Sequence, residues 1–291
     1  QASIIDKKKS LQESIDKGLE FVSKITGDYF IVDGQDATTL IGTIDVFRES
    51  NAKLFLKNSY LKDFDLYKQG WANGRKYWGK GDYSVPDIDK LKPRMKLTGC
   101  NWLSTMTPQW FDYPNEKKYD ISCMFGYPSK EKVYEHNLCQ TDYYDLHRKK
   151  LLEIVSDKYN FIGLDKGQKV SMDQYFQKMH ESKIVMSPFG FGEMNPRDVQ
   201  SAMLGSVLIE PDMSYILSKP FIYKDDETYI AVNYDWSNLE EKIDYVLSDY
   251  ENIRDKLVNN FRKKFTERYD KKNLVLHFYN ILKNLNGVTS E

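Results

Sequence analysis

Hydrophobic positions recur along this chain with two different periods, and their alternation predicts an α/β fold twice over. Across 11–25, Ile15, Leu19, Val22 and Ile25 follow at spacings of four, three and three, which places them on one helical face. Gly27 ends that helix. Tyr29-Phe30-Ile31-Val32, closed by Asp33-Gly34, is short, aromatic and β-branched and reads as a buried strand. Asp36-Ala37-Thr38-Thr39 is expected to open a helix carrying Leu40, Ile44 and Phe47 on one face, and 52–56 to form a second strand. The stretch 70–93, rich in Gly, Tyr, Trp and Lys, lacks a period and predicts a long ordered loop.

Prolines and charges interrupt the pattern near 108–118, and beyond them the alternation restarts. Strands are expected at 120–125, 159–164, 183–187 and 207–210, with helices at 142–156, 172–181 and 196–204. That rhythm is the mark of a parallel sheet with helices on both faces. The tail is helical: Ile253, Leu257, Phe261 and Phe265 recur every four residues, and Leu274, Phe278, Ile281 and Leu285 follow at four, three and four. Such faces need an apolar surface to lie on. The expected organisation is a Rossmann-like domain over 1–115, a second over 116–270, and a helix over 271–291 packing back on the first. A ligand belongs beyond the carboxyl ends of the strands, in the cleft between the halves.

Composition narrows the function classes. Lys and Arg number 42 against 43 Asp and Glu, a net charge of −1, which argues against a nucleic-acid-coating protein. Apolar residues make up 41%, enough for a real core. No apolar run approaches the roughly 18 residues of a membrane span, and QASIIDKKKSLQES has no signal-peptide core. Gln1 in place of an initiator Met fits a trimmed chain or one module of a longer polypeptide. Cys100, Cys123 and Cys139 form no CxxC pair and suit a reducing, cytoplasmic setting, and four scattered histidines make a structural zinc site improbable.

The densest chemistry lies in Ser187-Pro188-Phe189-Gly190-Phe191-Gly192-Glu193-Met194-Asn195-Pro196-Arg197-Asp198. It follows a strand and leads into a helix. Gly190 and Gly192 let the backbone approach a ligand, Asn195 is a good N-cap, and Pro196 suits the first helical position. The free N–H groups at such a helix start form an anion site, and Arg197 adds a charged fork for phosphate oxygens. The order strand, glycine loop, cap and arginine fits a diphosphate. It is neither a Walker loop, lacking GK[ST], nor a GxGxxG fingerprint, lacking the third glycine.

The segment KMHESKIVMSPFGFGEMNPRDVQSAMLGSVLIEPD resembles the donor-binding region of nucleotide-sugar-dependent glycosyltransferases of the GT-B fold. It is nearest to the exostosin-like and "glycosyl transferases group 1" C-terminal modules. In those families a strand reaches a glycine-rich loop, an Arg precedes a Glu-Ala-x-x-x-Gly helix end, and a further strand closes the unit. Ser182-Lys183 opens it here, Arg197 holds the arginine position, and 200–205 form the helix end. The likeness is good over 118–270 and architectural over the first 110 residues. It implies an α/β fold of two Rossmann-like domains facing across a cleft, with C-terminal helices packing back across both. It also implies a nucleotide-diphosphate sugar as donor, a glycan hydroxyl as acceptor, and no resident cofactor. One departure is Gln200, where the family usually carries the Glu that accepts from ribose hydroxyls. Gln200 lacks that charge, and Glu193 or Glu210 is expected to share the role.

Donor contacts are thus expected from Ser187, Phe189, Gly190, Gly192, Glu193, Asn195, Asp198, Gln200, Glu210, Asp212 and Tyr215, with Arg197 stabilising the leaving diphosphate. If configuration inverts, the resemblance implies a base from the N-terminal domain. Asp33, ending the first strand, is the first choice, and Asp36, Lys57 and Trp102 are expected on the acceptor. His147 and Arg148 read as a solvated helix face. Asp63-Phe64-Asp65 matches DxD nominally but sits in a Lys-rich helical stretch, so no metal is expected. Two alternatives stay open: a degenerate, non-catalytic sugar- or nucleotide-binding module, favoured by Gln200, and a sugar-nucleotide epimerase.

Overall fold

A capping box starts the first helix: the Ser10 hydroxyl accepts the Glu13 N–H at 3.2 Å while the Glu13 carboxylate accepts the Ser10 N–H at 2.7 Å. In the computed structural model, residues 10–35, 37–70, 83–98, 109–112, 116–126, 141–164, 167–190 and 192–286 are described, those at 141–145 and 284–286 by backbone alone. The first half runs α1 (Leu11–Ser23), β1 (Phe30–Asp33), α2 (Thr43–Arg48), β2 (Leu54–Lys57), β3 (Ser59–Leu61), the short turns α3 (Asp65–Lys68) and α4 (Ile88–Leu91), and β4 (Met95–Leu97). The second runs β5 (Tyr119–Cys123), α5 (Thr141–Lys158), β6 (Phe161–Gly163), α6 (Met172–His180), β7 (Ser182–Met186), α7 (Pro196–Met203), β8 (Val207–Pro211), β9 (Ile216–Ser218) and β10 (Ile230–Val232). Helices α8 (Leu239–Ser248), α9 (Tyr250–Arg268) and α10 (Lys271–Asn286) complete it.

Each half holds a parallel sheet. The first has the order β1-β2-β4, with Asp33 in register with Lys57. The second has the order β10-β8-β7-β5-β6. Counted from β5, that is a doubly wound 2-1-3-4-5 sheet whose order reverses between β5 and β7. Its strands read as apolar runs because both faces are covered: Ile121, Ile184, Ile209 and Val232 pack with Leu151, Val155, Trp236 and Ile243.

A third element joins the halves. β3 pairs antiparallel with β9, Tyr60 opposite Leu217, and the Lys62 N–H extends the ribbon to the Tyr215 carbonyl at 2.9 Å. Around it one core continues from the first half into the second: Ile31, Phe47 and Phe55 belong to the same buried cluster as Met213, Tyr223, Phe261 and Phe265. Arg262 of α9 donates to the last carbonyls of α7, Ala202 at 2.8 Å and Met203 at 3.0 Å. α10 reaches the first sheet: His277 Nε2 lies 3.0 Å from the Leu97 carbonyl, and Phe278 stands edge-on to Phe30.

Several expectations shift. The helix expected from Asp36 begins at Thr43, since the Thr38 N–H and hydroxyl bond to Glu193 and its carbonyl accepts from Tyr67. The expected loop at 70–93 contains α4, and its residues 71–82 lie outside the described part. No described helix is long and apolar enough to cross a membrane.

Candidate functional site

At the switch point of the second sheet, where such folds bind ligands, lies a cavity of about 530 Å³. Phe125 and Gly126 enter from the end of β5, Pro188 and Gly190 from the end of β7, and Lys169 and Ser171 from the β6–α6 connection. Two helices point their N-termini into it. α6 opens with a Ser171–Gln174 capping box. α7 opens with Asn195, whose side chain accepts the Arg197 N–H at 3.1 Å, followed by Pro196 at N1. Both starts direct partial positive charge at the cavity.

Arg197 lines the cavity half-buried, its guanidinium 5.8 Å from the Phe125 ring centroid. Its Nη1 makes a long hydrogen bond to the Ser187 hydroxyl at 3.4 Å, and its Nε is buried without an acceptor among the described residues. No carboxylate of the described residues lies within ion-pair distance of it. A buried guanidinium so placed is set to receive an anion. Arg148 packs on the same ring, 5.3 Å from its centroid, and donates to the Gly126 carbonyl. The expectation that Arg148 is solvated is therefore corrected: it is 4% exposed and lines the site. Its neighbour His147 is stacked between Tyr234 and Trp236, and burial pulls its imidazole down to about 4, so it is a neutral packing group.

Of the expected donor residues, Gly190, Asn195, Arg197 and Gln200 line the cavity. Gly190 and Gly192 close a tight turn, N–H to carbonyl at 3.2 Å. Gln200 accepts the Tyr175 hydroxyl at 3.0 Å, which leaves its amide N–H groups and the second lone pair of its carbonyl to meet a ligand. The other expected contacts stand behind or away from the cavity wall. Ser187 is fully buried and braces the loop, accepting from Asn195 at 2.9 Å and donating to Asp198 at 2.8 Å. Asp198 is the N3 member of the α7 capping box and also accepts from Tyr223 at 2.7 Å. Phe189 packs near Tyr234, Asp212 closes a turn on Ser214, and Tyr215 joins the shared core. Glu193 is turned toward Thr38 of the first half. Of these six, Phe189, Asp198 and Glu193 meet partners distant in sequence, Tyr234, Tyr223 and Thr38, which no local signal shows.

The acceptor-side expectations change as well. Asp33 is 0% exposed and does not open on the cleft. Its carboxylate accepts from Thr43 at 2.8 Å and from the Gln35 N–H at 2.9 Å, and it faces Lys57 Nζ at 3.1 Å. Lys57, equally buried, is the other half of that ion pair and so is not presented to an acceptor. Asp36 and Trp102 lie outside the described residues.

Glu210, at the end of β8, is fully buried, and neither of its oxygens receives a hydrogen bond from a described residue. Burial and, after it, the charge of the adjacent Asp198 hold its carboxyl well above the ordinary 4.5, so it keeps its proton. The unfolded chain releases that proton above about 4.5 while the fold retains it. Glu210 therefore subtracts stability progressively as pH rises from there, until it ionises. Glu210→Gln, which keeps a donor without the charge, is expected to match the wild type at pH 4.5 and to exceed it by pH 7. Urea midpoints of both across that range measure this, and parallel curves would refute it.

No family model matches this chain, and no curated protein matches it in sequence. Among solved structures it is similar to several glycosyltransferases. Sucrose-phosphate synthase from Thermosynechococcus elongatus aligns over 98% of this chain and 81% of its own, with a TM-score of 0.52 at 11% identity. Anabaena HepE, solved in complex with UDP-glucose, aligns over 95% and 68%, with a TM-score of 0.40 at 10% identity. A glycosyltransferase from Rickettsia africae aligns over 97% and 82%, with a TM-score of 0.45 at 12% identity. The chain has the GT-B fold, two Rossmann-like domains built on parallel sheets.

Proposed function

We propose that this protein is a glycosyltransferase that binds a nucleotide-diphosphate sugar in the second half and moves the sugar onto a glycan hydroxyl. The observation that carries the reading is Arg197. It is a half-buried guanidinium with no carboxylate at ion-pair distance among the described residues, and it lines a cavity at the sheet's switch point, between two helix N-termini. A diphosphate leaving group needs that charge when the bond from its oxygen to the anomeric carbon breaks. Arg148 and Lys169 add to it, so the chemistry proposed here is metal-independent. Support also comes from the GT-B fold and from the motif likeness of the glycine-rich loop. The acceptor is assigned to the first half, with Asp36 and Trp102 as its proposed contacts.

The closed Asp33–Lys57 pair favours a reaction that takes no proton on Asp33. An inverting reaction would draw its base from elsewhere, and a retaining one would need none from the protein. A second reading, a binding module without turnover, is favoured by Gln200, which lacks the charge of a carboxylate at that position. Thermal denaturation with UDP, GDP and dTDP, and CMP as control, tests the site. A diphosphate at 100 times its dissociation constant is expected to add about 2.7 kcal/mol. No stabilisation by any of them at millimolar concentration would remove the donor-site reading. Release of the diphosphate from the matching nucleotide sugar would separate the enzyme from the binding module.

A further inference from the structure

The buried carboxylate of Glu193 sits in the glycine-rich loop, yet it serves the opposite half of the molecule. It is 1% exposed, and its hydrogen bonds among the described residues come from Thr38: the hydroxyl at 3.0 Å and the backbone N–H at 3.3 Å. Thr38 is itself held. Its carbonyl accepts the Tyr67 hydroxyl at 2.8 Å, and that hydroxyl accepts the Leu61 N–H at 2.8 Å. Leu61 pairs with Ile216, on the strand just beyond β8. A closed circuit of bonds thus leaves the second half at Glu193, crosses the first, and returns through β3 and β9.

A carboxylate is a costly way to fill a buried contact, since it must be desolvated and then compensated by donors. An apolar pair would pack the same space, so the arrangement calls for a reason beyond cohesion. That reason lies on either side of Glu193 in sequence. The Gly190–Gly192 turn precedes it, and the Asn195 cap that carries Arg197 follows within four residues. Glycine at 190 and 192 gives the backbone there more accessible conformations than another residue would.

We propose that Glu193 is a positioning residue for the donor site: by gripping Thr38 it sets the glycine-rich loop so that Asn195 and Arg197 face the cavity, and donor affinity becomes dependent on the first half. The inference rests on the reading of the cavity as a nucleotide-diphosphate site. It also replaces the expectation that Glu193 touches the donor.

The test is calorimetric titration of whichever of UDP, GDP or dTDP binds the wild type, repeated on four variants. Thr38→Val keeps the N–H and the volume but loses the hydroxyl, and is expected to weaken binding about tenfold, the size of one hydrogen bond to a charged group. Thr38→Ser restores that hydroxyl and should bind as the wild type does. Glu193→Ala should weaken binding further, and adding Thr38→Val to it should change nothing more, because the two act through one contact. If Glu193→Ala does not fold, the Thr38 pair carries the result alone. A merely structural contact would shift the urea midpoint of Thr38→Val and leave its affinity unchanged, which would overturn the proposal. So would an affinity loss in Glu193→Ala that Thr38→Val does not share, since Glu193 would then meet the nucleotide itself. A wild type that binds none of the diphosphates removes the reading of the cavity, and this proposal with it. A wild type that binds, matched by Thr38→Val, removes the tether alone.

Discussion

Asp33→Ala is expected to lower the stability of the fold by about 3–5 kcal/mol, the cost of stranding one charge of a buried pair. Asp33 and Lys57 are register partners on adjacent parallel strands, and both side chains are 0% exposed. The 3.1 Å separation is an ion pair without hydrogen-bond geometry, and Lys57 Nζ has no hydrogen-bond acceptor among the described residues. Removing the carboxylate leaves an ammonium with neither water nor counter-charge. The reverse change, Lys57→Met, should cost less, because Thr43 and the Gln35 N–H still satisfy Asp33. Asp33→Leu combined with Lys57→Met should recover most of the loss, as apolar replacements of buried pairs do. Urea unfolding of the three variants measures the order. If Asp33→Ala proves as stable as the wild type, the pair is not closed, and Asp33 returns as a candidate base on the cleft.

Arg197→Ala should reduce affinity for the stabilising nucleoside diphosphate about 100-fold, the upper end of what hydrogen bonds to a charged group contribute. The fold should suffer little, since the side chain gives up one long bond to Ser187 and no ion pair. Some loss will come from the buried Asp198 and Glu210, whose carboxyls its positive charge favours in ionised form. Arg197→Lys should restore part of the affinity only, as a point charge lacks the planar fork. Calorimetry for affinity, with urea midpoints as the folding control, separates the two effects. Equal affinity in Arg197→Ala and wild type would take Arg197 out of the site.

The loop from Ser187 to Arg197 was readable because its signals are local. A β-branched strand, two glycines and Asn-Pro at a helix start each state a backbone requirement within a few residues. The parallel sheet of the second half followed from the same kind of signal repeated along the chain, but its strand order and the three-residue β10 did not. What could not be read were the partners. Glu193 and Asp198 are both acidic residues beside a glycine loop. One ends on Thr38, 155 residues away, and the other holds an N-terminal cap and Tyr223. Arg148 looked like one more charge on a polar helix until the end of β5 offered it a carbonyl and an aromatic ring. β3 and β9 are three residues each, too short to carry a pattern, and exist because they meet. Asp33 did end its strand as expected. Its neighbour in register, invisible in one dimension, decided what it faces.

The ribbon of β3 and β9 has a consequence for recombination. Two-domain proteins invite the exchange of one half for that of a relative, to combine a new acceptor preference with a known donor. Here the seam between the halves does not coincide with the boundary that the sequence suggests near 108–118. Met213, Tyr223 and Tyr229, and with them Phe261 and Phe265 of α9, complete the interior of the first half, although the chain supplies them from the second. A chimera cut at the linker would graft a foreign N-terminal half onto a surface shaped for this one. The exchangeable unit is discontinuous: the first 115 residues, the segment that carries β9, and the inner face of α9.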